Sequence, residues 1–225
     1  MPETLDSPAR DTDLTPAMNT HHQEFFDRAA SDWDLMFTAE ELDRLGHLVD
    51  SLGINSGIDV LDLGCGTGVL FDMLRRKVGE LGLVVGVDFS LNMTFLARRN
   101  FPFANVCVVD ADASALPFAD TCFDMALAFS SFPHFADHQC ALNELCRILK
   151  PNARLYILHL VSSLQLAEIH RRVGGAVEED RLPSNEILHD MLVRSGFANI
   201  EIEDKPNLYL ARAVRTPENV PSCRP

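Results

Sequence analysis

After Gly57 short apolar runs alternate with amphipathic stretches for most of the chain. IDVLDL (58–63), LVVGVD (83–88), NVCVVD (105–110), FDMALAFS (123–130) and ARLYILHL (153–160) are short, rich in branched residues and bounded by turn formers, and they read as strands. Between them apolar positions recur at helical spacing over about 68–78, 91–100, 137–149 and 163–173. Parallel neighbours need a crossover, so this alternation predicts an α/β fold: a parallel sheet with helices on both faces. The order changes near the end, with a helix at about 184–195, Gly196, and strands ANIEIED (198–204) and NLYLARAV (207–214) separated by Lys205-Pro206. So short a link joins only antiparallel strands.

The segment ahead of Gly57 is helical in pattern. From Asn19, a helix leads into an aromatic-rich turn, and Thr38-Ala-Glu-Glu41 has capping-box spacing before LDRLGHLVDSLG. Residues 1–18, acidic and proline-containing without periodicity, read as a flexible arm, and TPENVPSCRP (216–225) reads as a tail. The organisation expected is one domain over 19–215, with a helical cap (19–56) and a Rossmann-like core (57–215). A chain of 225 residues suits a single core.

Composition narrows the partners. The formal net charge of -14 repels a phosphate backbone, which argues against nucleic acid or an anionic membrane surface as the main partner. No apolar run approaches the roughly 18 residues of a membrane span, and MPETLDSPARDTDLTP lacks the basic start and apolar centre of a leader. A cytoplasmic protein, monomer or homodimer, is expected. The six cysteines form no CxxC pair, which fits a reducing compartment and speaks against a cysteine metal site.

The chemistry centres on VLDLGCGTGVL (60–70). A strand ends in Asp62, Gly64, Gly66 and Gly68 follow, and a helix resumes at about Val69. Glycines allow a tight turn and let a ligand lie against bare backbone, next to the free N–H groups of a helix start. A turn without a ligand would look the same, but Asp88 ends the next strand, about twenty residues on, where a carboxylate accepts both hydroxyls of a ribose. The loop holds no Lys or Arg to meet a pyrophosphate, and its leading acid suits an ammonium group. A nucleoside carrying an amino acid satisfies these features better than NAD.

LDLGCGTG (61–68), VDFSLNM (87–93), DASALPF (112–118), FDMALAFSSFPHF (123–135) and ALNELCRILKP (141–151) occur in the order of known motifs. On them the chain resembles the class I S-adenosylmethionine-dependent methyltransferases, in particular the small-molecule group similar to ubiquinone/menaquinone-biosynthesis enzymes. The resemblance runs from about Phe25 to Val214 and implies a Rossmann-like seven-stranded sheet in order 3-2-1-4-5-7-6, strand 7 antiparallel. It implies that Asp62 and the backbone of Gly64, Cys65, Gly66 and Gly68 hold the methionine moiety, and that Asp88 holds the ribose. Asp112 and the Ala113 N–H would meet the adenine, Phe89 and Met93 would pack beside its plane, and Phe129 is counted with these cofactor-binding residues. Phe25, Phe26 and Trp33-Asp34 match a segment that folds over the cofactor in the family, or they pack on the core. Asn152-Ala153 departs from the family's usual glycine pair, which affects a turn.

Ligands of open α/β sheets lie outside the carboxyl ends of the strands. His134, after the fourth strand, and His159, ending the fifth, are therefore the candidate catalytic bases, with His170 near the same edge. His134 and His159 would otherwise only hydrogen-bond backbone. No metal is expected; an alternative joins His134, His159 and His170 to Glu144 or Asp180. His21-His22 reads as solvated, His47, His138 and His189 as surface or interface residues, and Arg98-Arg99 as a solvated helix face. GGAVEEDRLP (174–183) is a lid over the acceptor or a plain loop. The activity expected is transfer of a methyl group from S-adenosylmethionine to a small-molecule acceptor through O, N, C or S, releasing S-adenosylhomocysteine. A nicotinamide-dependent oxidoreductase and a non-catalytic S-adenosylmethionine- or partner-binding domain are the alternatives.

Overall fold

A computed structural model describes residues 16–217, and the structural statements below concern those residues. Most of the expected arm and tail lies outside them. Seven helices are described: α1 (Pro16–Ala29), α2 (Ala39–Ser51), α3 (Phe71–Val78), α4 (Leu91–Asn100), α5 (His138–Ile148), α6 (Ser163–Val173) and α7 (Asn185–Ser195). The strands are β1 (Asp59–Leu63), β2 (Leu83–Asp88), β3 (Val106–Asp110), β4 (Phe123–Phe129), β5 (Leu149–His159), β6 (Phe197–Lys205) and β7 (Leu208–Arg215). They form one sheet in the order β3-β2-β1-β4-β5-β7-β6, with β7 antiparallel to β5 and β6 and the remaining pairs parallel. This is the sheet order expected from the family resemblance.

Alternation along the strands builds the two cores. Leu61 and Leu63 of β1, with Ala126 and Ala128 of β4, pack toward one face together with Leu145 and Leu192. Val60, Met125, Leu127 and Phe129 pack toward the other with Leu45, Phe71 and Leu74. Helix starts are fixed by side chains: Thr38 and Glu41 form the expected capping box of α2, Ser162 and Gln165 form a second on α6, and Ser90, Asp137 and Ser184 cap α4, α5 and α7.

Three boundaries move, and one of them is the start of α3, at Phe71 rather than at about 68. α1 opens at Pro16, ahead of the expected Asn19. β5 begins at Leu149 rather than at 153, because Leu149 already pairs with Phe123 across an irregularity in register. Asn152 takes the bend at φ 65°, a left-handed conformation that asparagine tolerates where the family uses glycine.

The cap lies on the carboxyl edge of the sheet. Gln23 Nε2 donates to the Phe89 carbonyl at 3.0 Å, while Asp27 accepts from Ser90 Oγ at 2.5 Å and from the Asn92 N–H at 3.1 Å. Phe26, Ala30, Met93 and Val177 form a small third core there, with Phe25, Trp33 and Phe89 against it. Strand order reverses beside β1, so this roof covers the crevice where open sheets hold ligands.

Candidate active site

Asp62 stands at a strand position where alternation would bury an apolar side chain. It is 1% exposed, and neither carboxylate oxygen has a hydrogen-bond partner among the described residues. Burial, and then the neighbouring charge of Asp88, push its pKa up to about 8. The loop that follows is closed by contact. A Cβ on Gly64 would lie 2.2 Å from the Ser131 Cβ, and one on Gly68 2.6 Å from the Phe71 ring, and both glycines have left-handed φ (73° and 94°).

Asp88 ends β2 directly beside this loop. Its Oδ2 accepts from the Gly66 N–H at 2.8 Å and its Oδ1 from the Ser90 N–H at 2.9 Å. Burial raises its pKa to about 6 in spite of those hydrogen bonds. Each oxygen keeps a further lone pair for a ligand hydroxyl. Asp112 accepts from the Ser114 N–H (2.8 Å) and Oγ (2.6 Å), which braces the turn that presents Ala113.

Three cavities adjoin along this edge. The one over the loop has about 570 Å³ including its open mouth and is walled by Asp62, Cys65, Asp88, Met93 and Phe129 beneath Phe26, Trp33 and Phe37. A smaller one, about 330 Å³, carries Asp112 and Ala113 opposite Phe89 and Phe135. The third, about 920 Å³ including its open mouth, is walled by Phe25, Met36, Leu160, Leu166, Ile169, Val173 and Val177, with Glu41, Ser130, His134 and His170 as polar groups. Phe129 and Ser130 line both the first and the third, and His134 lines all three. Ser130 holds φ 52° at this junction. Trp33 lies over the loop, with Nε1 3.2 Å from where a Cβ on Gly66 would be, and Asp34 accepts from Thr67 Oγ1.

The histidines separate into different roles. His134 Nδ1 lies 2.6 Å from Asp180 Oδ2, His22 Nε2 lies 3.1 Å from both Asp180 carboxylate oxygens, and His170 Nδ1 lies 2.9 Å from the Asp180 carbonyl. The rings of His134 and His170 are 4.9 Å apart. His159, expected beside His134, lines none of these cavities and is 1% exposed. Burial, with the charges of His134 and His170, lowers its pKa to about 3, so it stays neutral. Its ring points into the core near Tyr209, its partner across the β5–β7 ladder.

Two surface assignments change: His22 is not solvated but docked on Asp180, and His138 stacks on Phe132 at 4.7 Å. Arg98 and Arg99 lie on an exposed helix face as expected, where Arg98 also reaches the Val108 carbonyl and Asp110. Segment 174–183 is not a plain loop, since its Val177 is buried against the cap and its Asp180 gathers three histidines. The sequence suggests Asp180 only as a metal ligand, not as a hydrogen-bond partner that orients histidines. Glu144 faces elsewhere, binding Arg147 and the Leu116 N–H, and among the described residues no three side chains are grouped to hold a metal ion.

The sheet order with its reversed β7, and a glycine loop flanked by buried carboxylates, define a Rossmann-like methyltransferase fold. Residues 61–157 match the family described as "Methyltransferase domain". The ubiquinone/menaquinone biosynthesis C-methyltransferase of Klebsiella pneumoniae is 34% identical over 179 residues, 68% of this chain and 71% of that one. The 2-phytyl-1,4-naphtoquinone methyltransferase of a Nostoc species is 41% identical over 110 residues, 47% of this chain and 48% of its own length. The solved structure of a SAM-dependent methyltransferase from Thermotoga maritima shares the fold, with a TM-score of 0.68 at 21% identity over 87% of this chain and all of that one. The chain belongs to the class I S-adenosylmethionine-dependent methyltransferases, similar to the ubiquinone/menaquinone biosynthesis C-methyltransferases, and its cofactor is S-adenosylmethionine. This leaves the nicotinamide alternative without support. The residues fit the cofactor: an unpaired buried carboxyl suits its ammonium group, and a second beside the loop suits its ribose.

Proposed function

We propose that the chain methylates an apolar, hydroxylated aromatic acceptor of the quinol type, with His134 as the base. The observation that carries this reading is that His134 lines the two cavities of the cofactor edge and the large apolar cavity alike. In the same reading Asp62 holds the ammonium group, with the backbone of Gly64, Cys65, Gly66 and Gly68 beside the methionine moiety. Asp88 holds the ribose, Asp112 and Ala113 meet the adenine, and Phe89, Met93 and Phe129 pack around it.

S-adenosylmethionine supplies a methyl group on a positively charged sulfur, already a good leaving group. The chain's own work is alignment, exclusion of water and control of one proton. Phe25, Leu166, Ile169 and Val173 give the acceptor cavity walls that suit a flat apolar ring. His134 Nδ1 faces the Asp180 carboxylate, which leaves Nε2 to take a proton from a ring hydroxyl. The oxygen so deprotonated makes the adjacent ring carbon nucleophilic; as the carbon–methyl bond forms, the methyl–sulfur bond breaks and its electron pair stays on sulfur, after which the carbon's own proton is released to solvent and the proton held on His134 Nε2 returns to the ring oxygen. The C-methyltransferase and naphthoquinone names of the relatives support carbon on a quinol ring over nitrogen or sulfur.

Incubation with S-adenosylmethionine and a dithionite-reduced naphthoquinone lacking the ring methyl, followed by mass spectrometry, tests the reading. A singly methylated product is expected from the reduced ring and none from the oxidised quinone, which has no hydroxyl proton. Turnover only with amine or thiol acceptors would overturn it.

A further inference from the structure

Asp180 belongs to none of the motifs of the fold, yet it is the meeting point of three elements. Its carboxylate faces His22 on α1 and His134 after β4, and its carbonyl faces His170 on α6 and also accepts from Arg181 at 2.8 Å. A carboxylate and a carbonyl only accept hydrogen bonds, so each facing ring nitrogen must carry the proton. His134 and His170 are thereby Nδ1–H tautomers. When neutral, each keeps its Nε2 lone pair.

We propose that Asp180 is the positioning residue of the acceptor site, fixing the tautomers of His134 and His170 and fastening α1 to them through His22. The proposal rests on the reading of His134 as the base. The charge of the cluster agrees with it: burial opposes ionisation of Asp180, but the hydrogen bonds from His134 and His22 prevail and hold its pKa well below the usual carboxylate range. Burial also lowers the pKa of His170, which favours its neutral form. The same carboxylate couples the roof to the base, since α1 also holds Phe26 over the cofactor cavity.

The test is 15N NMR of histidine-labelled protein above neutral pH, saturated with S-adenosylhomocysteine, in the wild type, Asp180→Ala and Asp180→Asn. Both His134 and His170 should be Nδ1–H in the wild type. In Asp180→Ala, His134 should revert to the Nε2–H form that water favours, while His170, held by a backbone carbonyl, should not change. Asp180→Asn should restore His134, because an amide oxygen accepts the same proton. With the reduced naphthoquinone probe, Asp180→Ala should lose about tenfold or more in kcat while its S-adenosylhomocysteine affinity stays within about twofold. A wild-type His134 protonated at Nε2, an unchanged His134 in Asp180→Ala, or an unchanged kcat where the tautomer has reverted would each overturn the proposal. If the wild type leaves the probe unmethylated, the acceptor reading fails by itself and the spectra still decide the role of Asp180. If Asp180→Ala does not fold, Asp180→Leu, which fills the same space without an acceptor, carries the same decision.

Discussion

The two ends of the active-site edge are built by opposite strategies. The cofactor end is local and polar: Asp62, the glycine loop, Asp88 and Asp112 follow one another at the ends of β1, β2 and β3, and their carboxyls are stationed there before any ligand arrives. The acceptor end is remote and apolar, joining α1, the turn after β4, the end of β5, α6 and segment 174–183 around one carboxylate. At the first end the fold bears electrostatic cost to await a ligand. At the second the Asp180 carboxylate is paired internally with His22 and His134, although both ring nitrogens of His159 lack a partner among the described residues, and in the proposed reading shape and one imidazole are left for the substrate.

The sharpest test of that division is His134→Ala. Loss of a positioned base should reduce kcat by about 10²-fold or more, with S-adenosylmethionine affinity unchanged by calorimetry. A parallel loss of cofactor affinity would mean that the two ends are not separable. Asp88→Ala should do the reverse, weakening S-adenosylmethionine and S-adenosylhomocysteine by about 10²-fold through loss of two charge-assisted hydrogen bonds.

Asp62→Asn tests the cost. The folded-state pKa of about 8 lies above the ordinary carboxylate value, so the folded protein keeps a proton that the unfolded chain releases. Stability is therefore fullest below the ordinary value and falls as pH rises toward 8. Removing the ionisable group should raise the melting temperature of the ligand-free protein at neutral pH, by the equivalent of about 1–3 kcal/mol, while weakening S-adenosylmethionine about tenfold. In the wild type an ammonium group requires Asp62 ionised, so affinity should weaken as pH falls below about 8, by up to about tenfold per pH unit. An equal pH slope in Asp62→Asn would assign the effect elsewhere. The smallest effect is expected at the remote wall. Ile169→Glu should raise KM for an apolar acceptor by about tenfold or less, leaving cofactor binding and its pH dependence unchanged.

Legibility in the sequence follows the same division. LVVGVD (83–88), LNMTFLARRN (91–100) and SLQLAEIHRRV (163–173) occupy the residues their periodicity marked, because strand and helix periods and Ser caps are short-range signals. The carboxylates of the cofactor edge were visible because each lies at or just beyond a strand end and strand ends share one edge. The histidines were harder to sort. His159 and Leu160 are consecutive, but pleating sends one into the core and the other to the cavity wall, and a chain position at the end of β5 does not say which. His22 reads as solvated until the segment 158 residues away is folded against it.

The sequence by itself determined the order of elements, the reversed final strand, the glycine turn and the carboxylates around it, since all of these depend on spacing over a few residues or on strand ends aligned by a parallel sheet. Only the tertiary structure decided which histidine faces the cavity, what orients it and what covers the cofactor. Those outcomes depend on contacts such as Asp180 with His134, 46 residues apart, and Gln23 with Phe89, 66 apart. No local periodicity encodes such contacts, because they arise only when separate packed surfaces meet.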